Sequence, residues 1–173
     1  MSPAEPLELR ALADTERLAA EIVQSSLPGS LLVLTGPLGS GKTTLTRLLA
    51  EQLGSSAAVS SPTYTLVHEY PTPQGTLVHM DAYRLGSAER LAALGLDEYL
   101  ERARLVVVEW GAGLLPRHPD ALWLELSLEP APGAGPGGSG GAAAPAMRRM
   151  ATWRDPAGYR PAEPDLSSTE RRP

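Results

Sequence analysis

The sequence has no cysteine, no phenylalanine and no asparagine, and only one isoleucine and one lysine among its 173 residues. The absence of cysteine excludes a disulfide scaffold, a thiolate metal site and a cysteine nucleophile, and agrees with a reducing compartment. Long hydrophobic runs are missing as well. The first thirty residues carry Glu5, Glu8, Asp14, Glu16 and Glu21 between short apolar stretches, so they read as neither a secretory signal nor a membrane span. The chain therefore reads as soluble and cytoplasmic, with length enough for one domain and a real core. Fourteen of the 15 basic residues are arginine, and the lone lysine is Lys42. Richness in Ala, Gly, Pro and Arg suggests a coding bias that puts Arg wherever Arg will serve, and a lysine retained under that bias draws attention.

Composition changes near residue 129. From Pro130 to Pro145 the chain is Pro, Gly, Ala and one Ser, with nothing large enough to anchor a core. This pattern divides the chain into a main domain over residues 1–129, a flexible linker over 130–146 and a final stretch over 147–173. Residues 1–128 hold 9 basic and 15 acidic groups, a net −6, while the remainder holds 6 and 5 and is near neutral. Two readings of the final stretch stay open. Met147 to Trp153 returns as a last strand paired with Ala121–Glu129, or the whole tail is disordered.

Within the main domain the periodicity switches between strand and helix. Asp14 or Thr15 is placed to cap a helix that buries Leu18, Ile22 and Val23 and ends at Pro28-Gly29. Leu31 to Thr35 and Leu105 to Val108 are short continuous apolar runs, as in strands buried on both faces. Thr43 to Leu53 is the clearest amphipathic helix, with Gly54 just past its end. Thr65–Tyr70 and Thr76–Asp81 predict paired strands around a Pro-Gly turn. Ser87–Leu94 and Asp97–Arg102 predict short helices, and Ala121–Glu129 alternates as a half-exposed strand. Such alternation favours an α/β sandwich with a mainly parallel sheet.

Gly36-Pro37-Leu38-Gly39-Ser40-Gly41-Lys42-Thr43 fits the G-x-x-x-x-G-K-[ST] pattern at every fixed position. Its glycines let backbone N–H groups curl around phosphate oxygens, and the following helix offers its positive N-terminus. Lys42 bridges β- and γ-phosphates as a compact point charge, a role that the broad guanidinium fork of Arg does not fill. The Thr43 hydroxyl is the expected Mg²⁺ ligand. An apolar strand before the loop and an amphipathic helix after it supply the context that the motif requires. The expected fold is thus a P-loop NTPase-type three-layer sandwich.

Such a loop needs acidic help for its metal and its attacking water. Asp81 and Glu109 both stand at strand ends, and in a parallel sheet both carboxylates would converge beside the loop. Glu109, after the more continuous apolar run, better resembles a Walker B carboxylate; Asp81 is a second ligand or a water-orienting group. Thr63, in the hydroxyl-rich Ser60–Thr65 loop, is a candidate γ-phosphate sensor or part of an ordinary Ser-Pro turn. Trp110 reads as a core residue or as a nucleotide contact, and His79 as a packed strand residue without metal-ligand spacing. Guanine-specific proteins of this type usually read the base with Asn-Lys-x-Asp; with no Asn and no second Lys, ATP is favoured over GTP. Arg84, Arg90, Arg102 and Arg104 are scattered, and none stands out as an arginine finger.

Together, Gly36 to Leu45, Ser61-Pro62-Thr63-Tyr64-Thr65-Leu66, His79-Met80-Asp81-Ala82-Tyr83-Arg84-Leu85 and Val108-Glu109-Trp110 resemble, in order and spacing, the TsaE (YjeE) family. The likeness covers roughly Leu12 to Leu128. It implies a small ATPase of tRNA threonylcarbamoyladenosine formation that works with the TsaB–TsaD pair, in which TsaD transfers the threonylcarbamoyl group to tRNA and the ATPase resets the complex. Carried over by motif, Gly36, Gly39, Ser40, Gly41, Lys42, Thr43 and Thr44 bind phosphates, and Thr43, Asp81 and Glu109 serve Mg²⁺. Lys42, Asp81 and Glu109 serve hydrolysis, and Thr63 lies in the switch loop. The resemblance also implies that Thr15 helps to wall the adenine pocket and that Trp110 belongs to a Glu-Trp pair near the nucleotide. Pro37 departs from the family, which usually has an acidic or polar residue there, and it removes one N–H from the loop.

A small-molecule kinase on the same loop is the alternative, but the chain offers little of the Arg-bearing lid such an enzyme needs. The acidic main domain implies that tRNA is reached through protein partners, and neither DNA nor a membrane is an expected partner. Weak tRNA binding by the isolated chain follows, and a filter-binding titration across salt concentrations checks it; a tight, salt-sensitive complex without partners would contradict the reading.

Overall fold

In chain order the elements are β1 (Leu7–Leu9), α1 (Leu12–Ser25), β2 (Ser30–Thr35), α2 (Lys42–Gln52), β3 (Val67–Tyr70), β4 (Leu77–Asp81), α3 (Leu96–Arg102), β5 (Leu105–Glu109), β6 (Leu122–Pro130) and β7 (Met147–Arg154). Among the described residues there are also short 3₁₀ turns at Gly111–Leu114 and Pro156–Gly158. The computed structural model describes residues 5–62, 66–83, 90, 93–131 and 147–159. The expected helix at Ser87–Leu94 lies largely outside these residues.

The seven strands form one sheet in the order β1-β7-β6-β2-β5-β4-β3. Its centre, β6, β2, β5 and β4, is parallel throughout. Antiparallel partners close the two sides, with β3 on β4, and β7 on β6 followed by β1 on β7. The central strands are continuous apolar runs because both of their faces are covered. On one face α1 and α2 pack over Leu32, Leu34, Leu77, Leu105, Val107, Leu124 and Leu126. On the other, Leu96 of α3 and Leu114 and Leu115 beside the first 3₁₀ turn cover Val33, Val78, Met80, Val106 and Val108. The result is the helix–sheet–helix sandwich with a mainly parallel centre, and no helix among the described residues is long and apolar enough to cross a membrane.

Two local features depart from the sequence reading. Helix α1 begins earlier than expected, with Ala11 in the cap position; Asp14 sits in the first turn and its carboxylate accepts the Ala11 backbone N–H at 2.8 Å. That bond holds the Asp14 carboxyl below its usual pKa range. Thr15 is consequently inside the helix and buried. The three-residue strand β1 was not anticipated, since so short a segment has no readable period. Of the two readings of the final stretch, the returning strand is the one found: β7 pairs with β6 from Trp123↔Arg154 to Pro130↔Met147 and carries β1 on its outer edge.

Since β2 stands at the centre of the sheet between β5 and β6, its side chains have little room to relax. Leu32, fully buried under α1 and α2, tests that packing. Leu32→Ala is expected to cost about 2–5 kcal/mol by urea denaturation. A cost near zero would show that this face is loosely packed.

Candidate nucleotide-binding site

At the carboxyl end of β2 the chain turns into the 36–43 loop and then into α2, whose N-cap is Gly41 in the left-handed conformation. Gly36 has φ +132°, and a Cβ there would stand 1.9 Å from the Leu126 carbonyl oxygen of β6. The loop can lie this close to the sheet only because that position has no side chain. Gly39 also has positive φ, +76°, but faces open space. Lys42 is almost buried, and its Nζ donates to the carbonyls of Gly36 and Pro37, both at 2.9 Å. The same ammonium sits 4.1 Å from the centre of the Trp110 ring, a cation–π contact. Burial pushes the Lys42 ammonium below its usual pKa, while Glu109 and Asp81 pull it back up.

Strands β4 and β5 end side by side, with Asp81 paired in register with Glu109. Both carboxylates are buried at the rim that also carries the loop. Glu109 Oε1 accepts the Thr43 hydroxyl at 2.8 Å, joining β5 to the first turn of α2. It also lies 2.9 Å from His79 Nε2. Asp81 accepts the backbone N–H of Tyr83 at 2.9 Å. Leu38, Gly39, Gly41, Lys42, Thr43, Thr44, Ser61, Asp81, Tyr83, Glu109 and Trp110 surround one cavity of about 580 Å³. Among the described residues no three His, Asp or Glu side chains form a cation cage. A cation beside Thr43, Glu109 and Asp81 would therefore need ligands from water or a bound phosphate, as Mg²⁺ takes in nucleotide sites.

Trp110 follows Glu109 in the left-handed conformation, φ +61°, which is costly for a residue with a side chain. Its N–H donates to Leu34 O at 2.8 Å, and its ring meets Tyr83 at 5.2 Å between centroids. The core role considered for Trp110 is thus only partial: its ring also lines the cavity.

A second cavity of about 210 Å³ lies on the other side of the loop, where Thr15, Gly39, Ser40, Gly41, Thr44 and Leu126 meet Arg10 and Arg149. Arg149, on β7, would be 3.4 Å from a Cβ on Gly41. A larger cavity of about 740 Å³ lies elsewhere, between α1 and the region where β6 begins and β7 ends, and none of the loop residues lines it.

The sequence model described as "Threonylcarbamoyl adenosine biosynthesis protein TsaE" matches residues 9–132. The chain belongs to the TsaE family. Proteins named tRNA threonylcarbamoyladenosine biosynthesis protein TsaE are 48% identical over 88 residues in Streptomyces coelicolor and 42% over 89 in Haemophilus influenzae. These alignments take in 49% and 50% of this chain and 59% and 56% of those proteins. The matched region is thus less than two thirds of the length of either relative. The crystal structure of YdiB from Bacillus subtilis superimposes with a TM-score of 0.61 at 27% identity, covering 90% of this chain and 88% of that one.

In this TsaE-family chain the tertiary structure brings Gly39, Gly41, Lys42, Thr43, Thr44, Asp81, Glu109 and Trp110 around one cavity. Thr15, Ser40 and again Thr44 line the neighbouring one, and Gly36 supports the loop against β6. Thr63 lies outside the described residues, as does Arg84. Two of the scattered arginines are committed elsewhere: Arg102 pairs with Glu69, and Arg104 donates to Ser26 and to the Val23 carbonyl. Among the described residues, one arginine that does stand beside the loop is Arg149. Sequence reading missed it because it stands more than a hundred residues away, beyond the Gly/Pro-rich segment.

The two loop glycines give a matched test. Gly36→Ala is expected to abolish nucleotide binding by calorimetry and to lower thermal stability, since its Cβ meets backbone. Gly39→Ala, strained but unobstructed, is expected to cost only about 1–2 kcal/mol and to retain binding. Equal effects would show that φ alone, and not the approach to Leu126, governs the loop.

Proposed function

We propose that this chain binds and hydrolyses ATP with Mg²⁺ in the cytoplasm, as an accessory factor for threonylcarbamoyladenosine modification of tRNA acting with the TsaB–TsaD pair. The observation that carries this reading is the meeting of Lys42, Thr43, Asp81 and Glu109 at one rim, in a chain of the TsaE family. When bound, Mg²⁺ supplies charge neutralisation across the β- and γ-phosphates. The chain's own residues then have separable tasks. Lys42 and the loop N–H groups hold phosphate oxygens, and phosphate would replace the Gly36 and Pro37 carbonyls that Lys42 now contacts. Thr43, Asp81 and Glu109 hold the metal site and orient water. Thr15 and Arg149 wall the cavity on the far side of the loop, where the nucleoside would lie. The absence of an Asn-Lys-x-Asp element supports adenine over guanine.

Slow turnover by the isolated chain fits the arginine placement. Arg102 and Arg104 are engaged away from the loop, so neither supplies transition-state charge, and a site without such a group loses on the order of 10³–10⁵ in rate. Partner stimulation is the natural remedy, and the net −6 of residues 1–128 supports contact with tRNA through proteins.

The deciding experiment measures ATP hydrolysis with and without TsaB–TsaD, together with threonylcarbamoyladenosine made over several turnovers. Stimulation of both is expected, with both lost in Lys42→Ala. A brisk partner-independent rate, or no stimulation of either quantity, would overturn the proposal. If Glu109→Gln stopped hydrolysis yet supported full modification, nucleotide binding alone would be the function.

A further inference from the structure

His79 occupies the middle of β4 with no exposed surface, in a strand where Leu77, Val78 and Met80 flank it. A leucine would fill such a place without polar cost. The imidazole instead directs Nε2 at Glu109 Oε1, 2.9 Å away, and leaves Nδ1 buried without a hydrogen-bond partner. Tyr70, whose ring centre is 6.5 Å from that of His79, does not relieve Nδ1, since its hydroxyl is engaged with His68 and with the backbone of Ser60. A carboxylate oxygen only accepts, so the contact requires the ring proton on Nε2. One nitrogen is thus left unsatisfied while the other serves a single carboxylate.

That carboxylate is the one that also receives Thr43. Glu109 Oε1 is therefore gripped by two donors, one from β4 and one from the first turn of α2. The Thr43 hydroxyl is shared with any cation that docks beside it, whereas the His79 N–H is buried and serves Glu109 alone. We propose that His79 is a positioning residue whose Nε2–H fixes the Glu109 carboxylate so that it meets Thr43 and an incoming metal–phosphate group in one orientation. The proposal rests on the Mg²⁺-nucleotide reading of the site, in which Glu109 belongs to the metal's surroundings. His79 itself is fully buried and does not line the cavity.

Two measurements on the full chain test it. The first is a long-range ¹⁵N–¹H spectrum of the nucleotide-free protein, which has three histidines, assigned by substitution. His79 is expected to carry a proton on Nε2, with its signals moved by Glu109→Gln; an unprotonated Nε2 would overturn the proposal. The second is calorimetric affinity for a non-hydrolysable ATP analogue with Mg²⁺ and with chelator. His79→Leu is expected to shrink the Mg²⁺-dependent gain in affinity by roughly 10-fold while changing the metal-free affinity by less than about twofold, as for groups that orient a metal's ligands. His79→Gln, which offers an amide N–H at similar reach, is expected to restore most of the gain. A folded His79→Leu with the full gain, or a His79→Gln no better than it, would refute positioning. If His79→Leu does not fold, the Nε2 proton and His79→Gln decide the matter: a glutamine variant with the gain lost refutes the proposal. A wild-type chain with no Mg²⁺-dependent gain would fail the site reading and this proposal together, which separates that outcome from failure of His79 alone.

Discussion

The site depends on how closely the 36–43 loop lies against the sheet. Gly36 passes so near the Leu126 carbonyl that no side chain fits between them, and this approach sets where α2 begins. From that start Thr43 reaches Glu109 across the rim, and Lys42 turns back under its own loop. If the loop stood away by the width of a methyl group, the Thr43–Glu109 bond of 2.8 Å would be lost, and with it the link between β5 and α2. The parallel register then supplies the rest, because it sets Asp81 beside Glu109 at the same height.

Lys42 shows how the loop holds a buried charge. Burying an ammonium is unfavourable, and here the cost is offset by two backbone carbonyls, the Trp110 ring and two nearby carboxylates. These contacts hold the lysine in place beneath the loop. Trp110 accepts a strained backbone for the same end: its left-handed φ turns the chain just after Glu109 and brings the ring over the ammonium. Strain at such a position is consistent with a site whose geometry is set by its surroundings.

Much of the fold was legible because buried parallel strands leave a distinctive trace. Leu-Leu-Val-Leu of β2 and Leu-Val-Val-Val of β5 have no polar alternation since neither face meets water, and the helix after the loop has a clear apolar stripe. The start of α1 was misplaced because its capping contact comes from inside the helix, from Asp14 back to the Ala11 N–H. Strand β1 exists only because β7 offers it an edge. His79 read as ordinary packing because its partner is thirty residues away in sequence and adjacent only in the sheet.

What the sequence determined by itself was local: a G-x-x-x-x-G-K-[ST] loop with glycine at set places, its one lysine, and two acids following apolar runs. Those features depend on backbone freedom, charge shape and periodicity over a few residues, which are written directly in the chain. Only the tertiary structure decided which distant groups complete the site. Arg149 arrives beside Gly41 through the pairing of β7 with β6, while Arg102 and Arg104 are drawn into other contacts. His79 meets Glu109 because two parallel strands lie in register. Such contacts are set by the order and register of strands across the sheet, which no short window of sequence contains.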